Sequence, residues 1–244
     1  MNTYVIFGAS GDMGINYIKH LDSTDPESTV IGFANNSIER LLSLQCRSLT
    51  LVPVKCDLSD DAETDKALAQ ITERYSNITH FISFAYGRLK YDRVTSFSSR
   101  DIEKAFRIQI SACGIALSHI IPQMKKHRSG RIIIITSSAA VGAPPAFMSE
   151  YTILKYAAVG MIKSYAAECV KFGITVNGVA PSMAETRLWK DTPSMLAEMI
   201  VNGHPMKRAV TFPEISRCID FLASPDAGFI TGENIDLSGG ETLQ

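Results

Sequence analysis

The stretch Tyr4-Val5-Ile6-Phe7-Gly8-Ala9-Ser10-Gly11-Asp12-Met13-Gly14 decides the fold of this chain. Four apolar residues in a row predict a short strand that is buried on both faces. Three glycines spaced three apart follow directly, and a helical pattern begins at Met13. Glycines let the turn tighten and let backbone N–H groups approach an anion, and the positive end of the next helix points at the same place. The stretch therefore predicts a strand–loop–helix unit that can hold a diphosphate.

The rest of the chain alternates short apolar runs with longer helical patterns. Further strands are predicted at 30–33, 51–55, 79–84, 130–136, 174–179 and 234–237. Helices are predicted at 13–21, 62–74, 100–124, 151–171 and 215–222. This alternation is typical of a doubly wound parallel sheet with helices on both faces. Because no repeat, linker or low-complexity tract divides the chain, we expect one Rossmann-type α/β domain over residues 1–244.

The composition excludes several classes of protein. The 24 basic residues nearly balance the 25 acidic ones, which argues against a protein that holds nucleic acid through charge. Neither the five cysteines nor the five histidines have the spacing of a metal site or a disulfide framework. The N-terminus does not resemble a signal peptide, and the most apolar run, 132–135, is far too short to span a bilayer. We therefore expect a cytoplasmic protein with no nucleic-acid or membrane partner.

The end of the second predicted strand is where such a fold selects its dinucleotide. An acidic residue about 20 residues past the last glycine binds the ribose 2′-hydroxyl of NAD and repels the 2′-phosphate of NADP. Here Asn35, Asn36 and Ser37 occupy that place, with no acid before Glu39 and with Arg40 nearby. Neutral donors tolerate a phosphate, so the sequence slightly favours NADP(H) over NAD(H).

A tyrosine and a lysine four residues apart, Tyr151 and Lys155, share one face of a predicted helix. Such pairs also arise by chance, and Tyr86 with Lys90 is another one in this chain. No strand-end serine precedes that second pair at a useful distance. The sequence therefore favours Tyr151 and Lys155 as the functional pair.

Two serines, Ser137 and Ser138, end the most apolar strand just upstream of Tyr151. Hydride reduction of a carbonyl leaves an alkoxide that needs a proton, and a phenol with a pKa of about 10 donates one poorly at neutral pH. The ammonium of Lys155 would stabilise the phenolate and lower that pKa. Ser138 could hydrogen-bond the carbonyl and hold it against Tyr151. The three residue types together predict a carbonyl reductase.

These motifs together resemble the short-chain dehydrogenase/reductase family, and the resemblance runs from residue 4 to about residue 240. Ser138, Tyr151 and Lys155 have the order and spacing of the family's catalytic residues. Cys56-Asp57-Leu58 resembles the segment whose aspartate contacts the adenine.

The C-terminal half carries further family motifs. Asn177-Gly178-Val179-Ala180-Pro181-Ser182 resembles the Asn-x-x-x-Pro-Gly segment beside the nicotinamide, and Thr186 follows it. The runs 221–224 and 230–240 resemble the family's C-terminal signature. Within the family, the chain most resembles the 3-oxoacyl-[acyl-carrier-protein] reductases, in the run 173–177 and in that signature.

The resemblance implies an NAD(P) cofactor and a homotetramer or homodimer. The residues that it and the glycine loop assign to cofactor binding are Gly8, Ser10, Gly11, Asp12, Met13, Gly14, Asn35, Asn36, Ser37, Asp57, Leu58, Ala85, Tyr151, Lys155, Pro181, Met183, Ala184 and Thr186.

The chain departs from the family pattern at four places. The usual second glycine of the loop falls at Asp12, and the usual Asn-Asn-Ala-Gly is Ser83-Phe84-Ala85-Tyr86. The helix asparagine that completes a catalytic tetrad falls at Ser111, and the glycine of Pro-Gly is Ser182. A serine in place of the asparagine can still hold a water for the proton relay. We therefore expect slower turnover or a shifted relay.

Two regions bear on the substrate. The basic residues Lys125, Lys126, Arg128 and Arg131 could dock the acidic helix of an acyl carrier protein, or could simply form a solvated helix end. Residues 187–210, which include Trp189, Met195, Met199 and Met206, should cover the substrate, although they would equally serve as helix core or a dimer contact.

The main hypothesis is an NADPH-dependent reductase of a 3-oxoacyl thioester. The alternatives are a dehydrogenase of a sugar, polyol or other small secondary alcohol, and a dinucleotide-binding sensor that has lost catalysis.

Overall fold

The computed structural model describes residues 1–87, 89–184, 186 and 194–243. These residues form one seven-stranded sheet in which every neighbouring pair of strands is parallel. The strands are β1 (Thr3–Phe7), β2 (Thr29–Ala34), β3 (Thr50–Lys55), β4 (His80–Ser83), β5 (Gly130–Ile135), β6 (Ile174–Pro181) and β7 (Asn234–Leu237). Their order across the sheet is β3-β2-β1-β4-β5-β6-β7. The described residues also form the helices α1 (Asp12–Thr24), α2 (Glu39–Leu42), α3 (Asp61–Arg74), α4 (Ser99–Phe106), α5 (Ala112–His127), α6 (Ser149–Cys169), α7 (Ser194–Gly203) and α8 (Phe212–Ala223).

Apolar side chains cover both faces of the sheet. One face packs against α3, α5 and α6. In the core on this face, the ring centroid of Phe7 lies 4.9 Å from that of Phe33 and 5.1 Å from that of Phe81. The other face packs against α1 and α8. Helices on both faces of a parallel sheet confirm the predicted fold class.

The strand order places a crevice between β1 and β4. The chain moves outward from β1 to β2 and β3, then returns to the other side of β1 with β4. The loops after β1 and β4 therefore leave in opposite directions, and such a switch point is where open α/β sheets bind ligands.

The helix predicted at 100–124 is divided in two in the structure. A π-helical turn, Arg107–Ser111, separates α4 from α5. The continuous helical stretch 99–127 is long and apolar enough to cross a membrane by length and composition alone. In this fold α5 is a core helix, because seven of its residues, from Ala112 to Met124, are buried.

The predicted substrate-covering segment is only partly described. Residues 187–193, with Trp189, lie outside the described residues. The remainder forms α7 and a turn that leads to Val210, whose N–H donates to the carbonyl of Met183 at 3.0 Å. Met195, Met199 and Met206 are exposed.

Candidate active site

The glycine loop packs against the end of β4 at the switch point. Gly8 has φ +68°, and a Cβ on it would lie 2.8 Å from the backbone nitrogen of Ala85. A Cβ on Gly14 would lie 2.6 Å from the carbonyl oxygens of Gly8 and Ala9. Both positions therefore require glycine, because one needs the left-handed conformation and both need the space. The loop ends at Gly11, the N-cap of α1, so the free N–H groups of that helix face the crevice side of the loop.

A cavity of about 560 Å³ runs from the glycine loop to Tyr151. Eight predicted cofactor residues line it: Gly8, Ser10, Asn35, Asn36, Asp57, Leu58, Ala85 and Tyr151. The helix N-terminus and the glycines suit a diphosphate, and Asp57, Leu58 and Tyr151 are all part of the lining. The residues present therefore fit an elongated dinucleotide whose two ends reach Asp57 and Tyr151.

The other predicted cofactor residues are not among the described residues that line this cavity. Gly11, Asp12, Met13 and Gly14 form the start of α1, and Ser37 follows Asn36 on the loop after β2. Pro181 ends β6, and Met183, Ala184 and Thr186 follow it. Within the described part of the chain, these four are not among the residues that line the cavity. Their predicted role beside the nicotinamide stays a prediction.

Two polar groups shape the adenine end of the cavity. Arg40 donates to the carbonyl of Ser10 at 2.5 Å and pairs with Asp12 at 2.9 Å, so it joins the loop after β2 to the glycine loop. Burial alone would raise the pKa of Asp57, but hydrogen bonds from the N–H and hydroxyl of Ser59 lower it. The Asp57 carboxylate is therefore charged and fixed at this end of the cavity.

The hydroxyl of Ser137 lies close enough to the phenol of Tyr151 to lower the pKa of that phenol. Ser137 is buried and its Oγ accepts from the N–H of Ala139 at 3.2 Å. Ser138, the serine that the sequence predicts, begins a short 3₁₀ turn and accepts hydrogen bonds from the N–H groups of Val141 and Gly142 through its carbonyl. Its catalytic role stays a prediction. Burial raises the pKa of Tyr151 to about 12, although the hydroxyl of Ser137 lowers it. The structure thus brings Ser137, the neighbour of the predicted serine, to the phenol.

Lys155 lies one turn after Tyr151 on α6 and is only 4% exposed. Its ammonium donates to the carbonyl of Ile135 at 2.9 Å, at the end of β5. Burial lowers the pKa of Lys155 to about 7, because a charged amine is costly in an apolar interior. Tyr151 and Lys155 therefore share one site, as their spacing predicts.

Tyr86, which the sequence left aside as half of a chance pair, also lies in this site. Its ring packs edge to face on the ring of Tyr151, with centroids 5.0 Å apart. The ammonium of Lys155 lies 5.2 Å from the Tyr86 centroid and 5.5 Å from the Tyr151 centroid. The signal for Tyr86 was its position at the end of β4, where the family pattern has a glycine. Its partner in the chance pair, Lys90, lies at the rim of the cavity and pairs with Asp101.

A second residue missed by sequence reasoning is Gln109, in the π-helical turn before α5. Its side chain is 1% exposed, and among the described residues neither its Oε1 nor its Nε2 finds a hydrogen-bond partner. The residue predicted from the family pattern, Ser111, is half-buried and lies two positions later in the same turn. Gln109 is the only carboxamide between residues 100 and 115, which is the signal that could have found it.

The strand order, the diphosphate loop at the switch point and a phenol above a buried lysine define oxidoreductases that use a nicotinamide dinucleotide. The sequence model described as Enoyl-(Acyl carrier protein) reductase matches residues 29–242. The chain belongs to the short-chain dehydrogenase/reductase family, whose members act on alcohol and ketone groups.

Two relatives and two solved structures illustrate the range of this family. The chain is 25% identical to the D-beta-hydroxybutyrate dehydrogenase of Rhizobium meliloti (strain 1021), over 99% of both chains. It is 27% identical to the 3-oxoacyl-[acyl-carrier-protein] reductase FabG of Buchnera aphidicola subsp. Baizongia pistaciae (strain Bp), over 97% of this chain and 95% of the relative. The fold matches levodione reductase with a TM-score of 0.89 at 22% identity, over 98% and 97% of the two chains. It matches NAD⁺-bound xylitol dehydrogenase with a TM-score of 0.88 at 21% identity, over 98% of both.

Proposed function

We propose that this protein is an NADPH-dependent ketoreductase that reduces the 3-keto group of a 3-oxoacyl thioester. The observation that carries the reaction class is the meeting of Tyr151, Ser137 and Lys155 at one end of a cavity that fits a dinucleotide. The bound nicotinamide would supply the hydride. The residues of the chain then have to orient the carbonyl and deliver a proton to its oxygen.

The state of Tyr151 favours the reductive direction. With its pKa raised to about 12 by burial, the phenol keeps its proton at neutral pH and can donate it to a carbonyl oxygen. The hydroxyl of Ser137 would hold the same oxygen and stabilise the charge that develops on it. Lys155 lies beneath the phenol, where its ammonium would stabilise the phenolate that remains.

The proposed substrate class, a 3-oxoacyl thioester, is supported by the names of two relatives. The names of the two relatives above, a 3-oxoacyl reductase and a β-hydroxybutyrate dehydrogenase, both refer to an oxygen on the third carbon of an acyl chain. We extend this chemistry to the present chain as part of the proposal. A dehydrogenase of a small free secondary alcohol is the second candidate, because the hydroxybutyrate enzyme covers the whole chain.

The basic cluster supports docking of a carrier-bound substrate, although Arg131 is no longer counted as part of it. Lys125, Lys126 and Arg128 are exposed at the C-terminal end of α5. Arg131 donates to the carbonyls of Ser224, Gly130 and Gly173 and is thereby part of the fold. The cluster lies at the start of β5, about 20 Å along this six-residue strand from Ile135 and the site. A carrier docked there would most easily serve the site of a second subunit, so the predicted dimer or tetramer is part of this proposal.

A turnover assay tests the reaction class and the substrate together. NADPH and NADH are each offered with 3-oxoacyl-carrier and 3-oxoacyl-CoA thioesters, acetoacetate and a set of small ketones. We expect NADPH oxidation with the thioesters, loss of about 100-fold or more in kcat for Tyr151→Phe, and no loss for Tyr156→Phe, an exposed tyrosine on the same helix. Turnover of free ketones alone would favour the second candidate. Dinucleotide binding without turnover of any compound would favour the sensor.

Charge reversal at the basic cluster separates carrier docking from acyl recognition. We expect the double variant Lys125→Glu/Lys126→Glu to slow the carrier-bound substrate and leave the CoA thioester unchanged. The matched control is Lys163→Glu, an exposed lysine on α6. Equal loss on both substrates would contradict a docking role.

A further inference from the structure

The ammonium of Lys155 lies in an unusual environment for a buried charge. Among the described residues it forms no ion pair, and its hydrogen bond goes to the neutral carbonyl of Ile135. The two rings that face it belong to different elements, Tyr151 on α6 and Tyr86 on the loop after β4. A buried charge without a carboxylate needs another source of stabilisation.

The other groups around this site add little charge. Cys113 on α5 lies close enough to Lys155 to interact with it, and burial raises the pKa of this thiol to about 11. The thiol donates to the hydroxyl of Ser83 at 3.3 Å, on β4. The carboxylate of Glu150 raises the pKa of Tyr86, and it accepts from the N–H of Ser98 at 2.9 Å.

We propose that Tyr86 is a positioning residue whose ring, together with that of Tyr151, lies within cation–π distance of the ammonium of Lys155 and keeps this lysine charged during reduction. The faces of aromatic rings attract cations within about 6 Å of the centroid, and both distances here fall inside that range. The proposal rests on the proposed reductase function, since only a charged Lys155 can stabilise the Tyr151 phenolate.

The sign of the effect follows from the two opposing influences on Lys155. Burial lowers its pKa to about 7, so the lysine would lose its charge as the pH rises through neutrality. An aromatic face stabilises the charged form and therefore raises the pKa. Without the Tyr86 ring, Lys155 would lose its proton at a lower pH, and the reductase would lose activity at the same lower pH.

Tyr86 acts through its ring in this proposal and not through its hydroxyl. Burial holds the pKa of the Tyr86 phenol well above its usual value, so this phenol stays neutral. A neutral phenol contributes a ring face but no charge. The variant Tyr86→Phe keeps that face, whereas Tyr86→Leu and Tyr86→Met fill much of the volume without it.

The experiment measures the titration of Lys155 directly and then the pH dependence of turnover. The protein is labelled with ¹³Cε-lysine, the Lys155 signal is assigned with Lys155→Met, and the signal is followed by NMR against pH. We expect Tyr86→Phe to titrate like the wild type, and Tyr86→Leu and Tyr86→Met to titrate about 0.5 to 1.5 pH units lower. The alkaline limb of the kcat profile for ketone reduction should move by the same amount. The control Tyr156→Leu removes an exposed ring beside Lys155 in sequence and should shift neither.

The outcomes separate this proposal from the proposed function. An unshifted Lys155 titration in both Tyr86→Leu and Tyr86→Met would overturn the role of Tyr86, and so would an equal shift in Tyr86→Phe. Circular dichroism checks the fold of each variant, and Tyr86→Met serves if Tyr86→Leu does not fold. If the Tyr86 variants shift the Lys155 titration but the protein reduces no ketone, the role of Tyr86 is supported and the proposed reductase function is rejected.

Discussion

The two ends of the cavity are built from different parts of the chain. The dinucleotide end is formed by backbone, where Gly8 and Gly14 leave space that a Cβ would fill and Ala85 closes against the loop. The catalytic end is formed by side chains, with Ser137 and Tyr86 around Tyr151. Each end is set by a different kind of constraint. The first depends on where strands end, and the second on which of several neighbouring side chains faces inward.

This difference shows which parts of a site a sequence motif predicts well. A strand end and a glycine spacing fix the path of the backbone to within a residue. At the same strand end, a motif does not fix which of two neighbouring side chains faces the phenol, as Ser137 and Ser138 illustrate. Variants at the two ends should therefore fail in different ways, by loss of dinucleotide binding at one end and by loss of rate at the other.

The largest effect is expected at the dinucleotide end, from Gly14→Ala. The added Cβ would lie 2.6 Å from two backbone carbonyl oxygens, so the loop and the start of α1 must move apart. A diphosphate is held by an aligned set of N–H groups, so a displacement of this kind should weaken its binding about 100-fold. We expect NADPH binding, measured by fluorescence titration, to weaken by at least that factor.

Gly160→Ala on α6 is the matched control for this variant. Gly160 is exposed, and a Cβ on it would meet no described atom within 4 Å. Alanine is favoured over glycine within a helix by about 1 kcal/mol, so this variant should raise the free energy of unfolding and leave NADPH binding unchanged. Equal NADPH affinity in the two variants would show that the glycine loop does not hold the dinucleotide.

At the catalytic end, Ser137→Ala and Ser138→Ala should differ sharply. The hydroxyl of Ser137 lies close enough to the phenol of Tyr151 to lower its pKa, whereas Ser138 accepts two backbone hydrogen bonds through its carbonyl, which alanine keeps. Loss of one hydroxyl aimed at the reacting oxygen costs about 100-fold in kcat. We expect that loss for Ser137→Ala and a change of less than about threefold for Ser138→Ala, with NADPH affinity unchanged in both. A larger loss for Ser138→Ala would restore the serine that the family spacing indicates.

A smaller effect is expected at the π-helical turn. Gln109 is buried there, and Ser111 holds the position that the family pattern assigns to the proton relay. Methionine at position 109 fills the space of the glutamine without its polar atoms. A buried amide without a described partner costs about 1 to 3 kcal/mol, so Gln109→Met should make the protein more stable in urea unfolding. A fall in kcat of about fivefold, the equivalent of one hydrogen bond, would place this amide in the proton relay, and an unchanged kcat would exclude it. Ser111→Ala should change neither the free energy of unfolding nor kcat. Slower turnover in Ser111→Ala than in Gln109→Met would assign the proton relay to Ser111.

The sequence predicted the parallel sheet because each strand is a short apolar run bounded by a helical pattern, and such runs depend on local residues alone. It also predicted that Tyr151 and Lys155 lie together, since a helix fixes residues four apart on one face. It could not predict Tyr86, because the contact joins the end of β4 to α6 across the cavity. It could not predict that Gln109 is buried either, since a π-helical turn changes the spacing at which residues of a helix face inward. What the sequence missed depends on contacts between distant elements.

The smallest effect is expected at the adenine end, where Arg40 bears on the choice between NADPH and NADH. Its guanidinium donates to the carbonyl of Ser10, a residue that lines the cavity, and to the carboxylate of Asp12. The guanidinium is partly exposed, so its contribution to binding a 2′-phosphate is modest, about 0.5 to 1 kcal/mol. We expect Arg40→Ala to reduce the ratio of kcat/KM for NADPH over NADH about threefold, by raising KM for NADPH alone. Lys19→Ala, an exposed lysine on α1, should leave the ratio unchanged. If Arg40→Ala raised KM for both dinucleotides equally, Arg40 would support the glycine loop and would not read the phosphate.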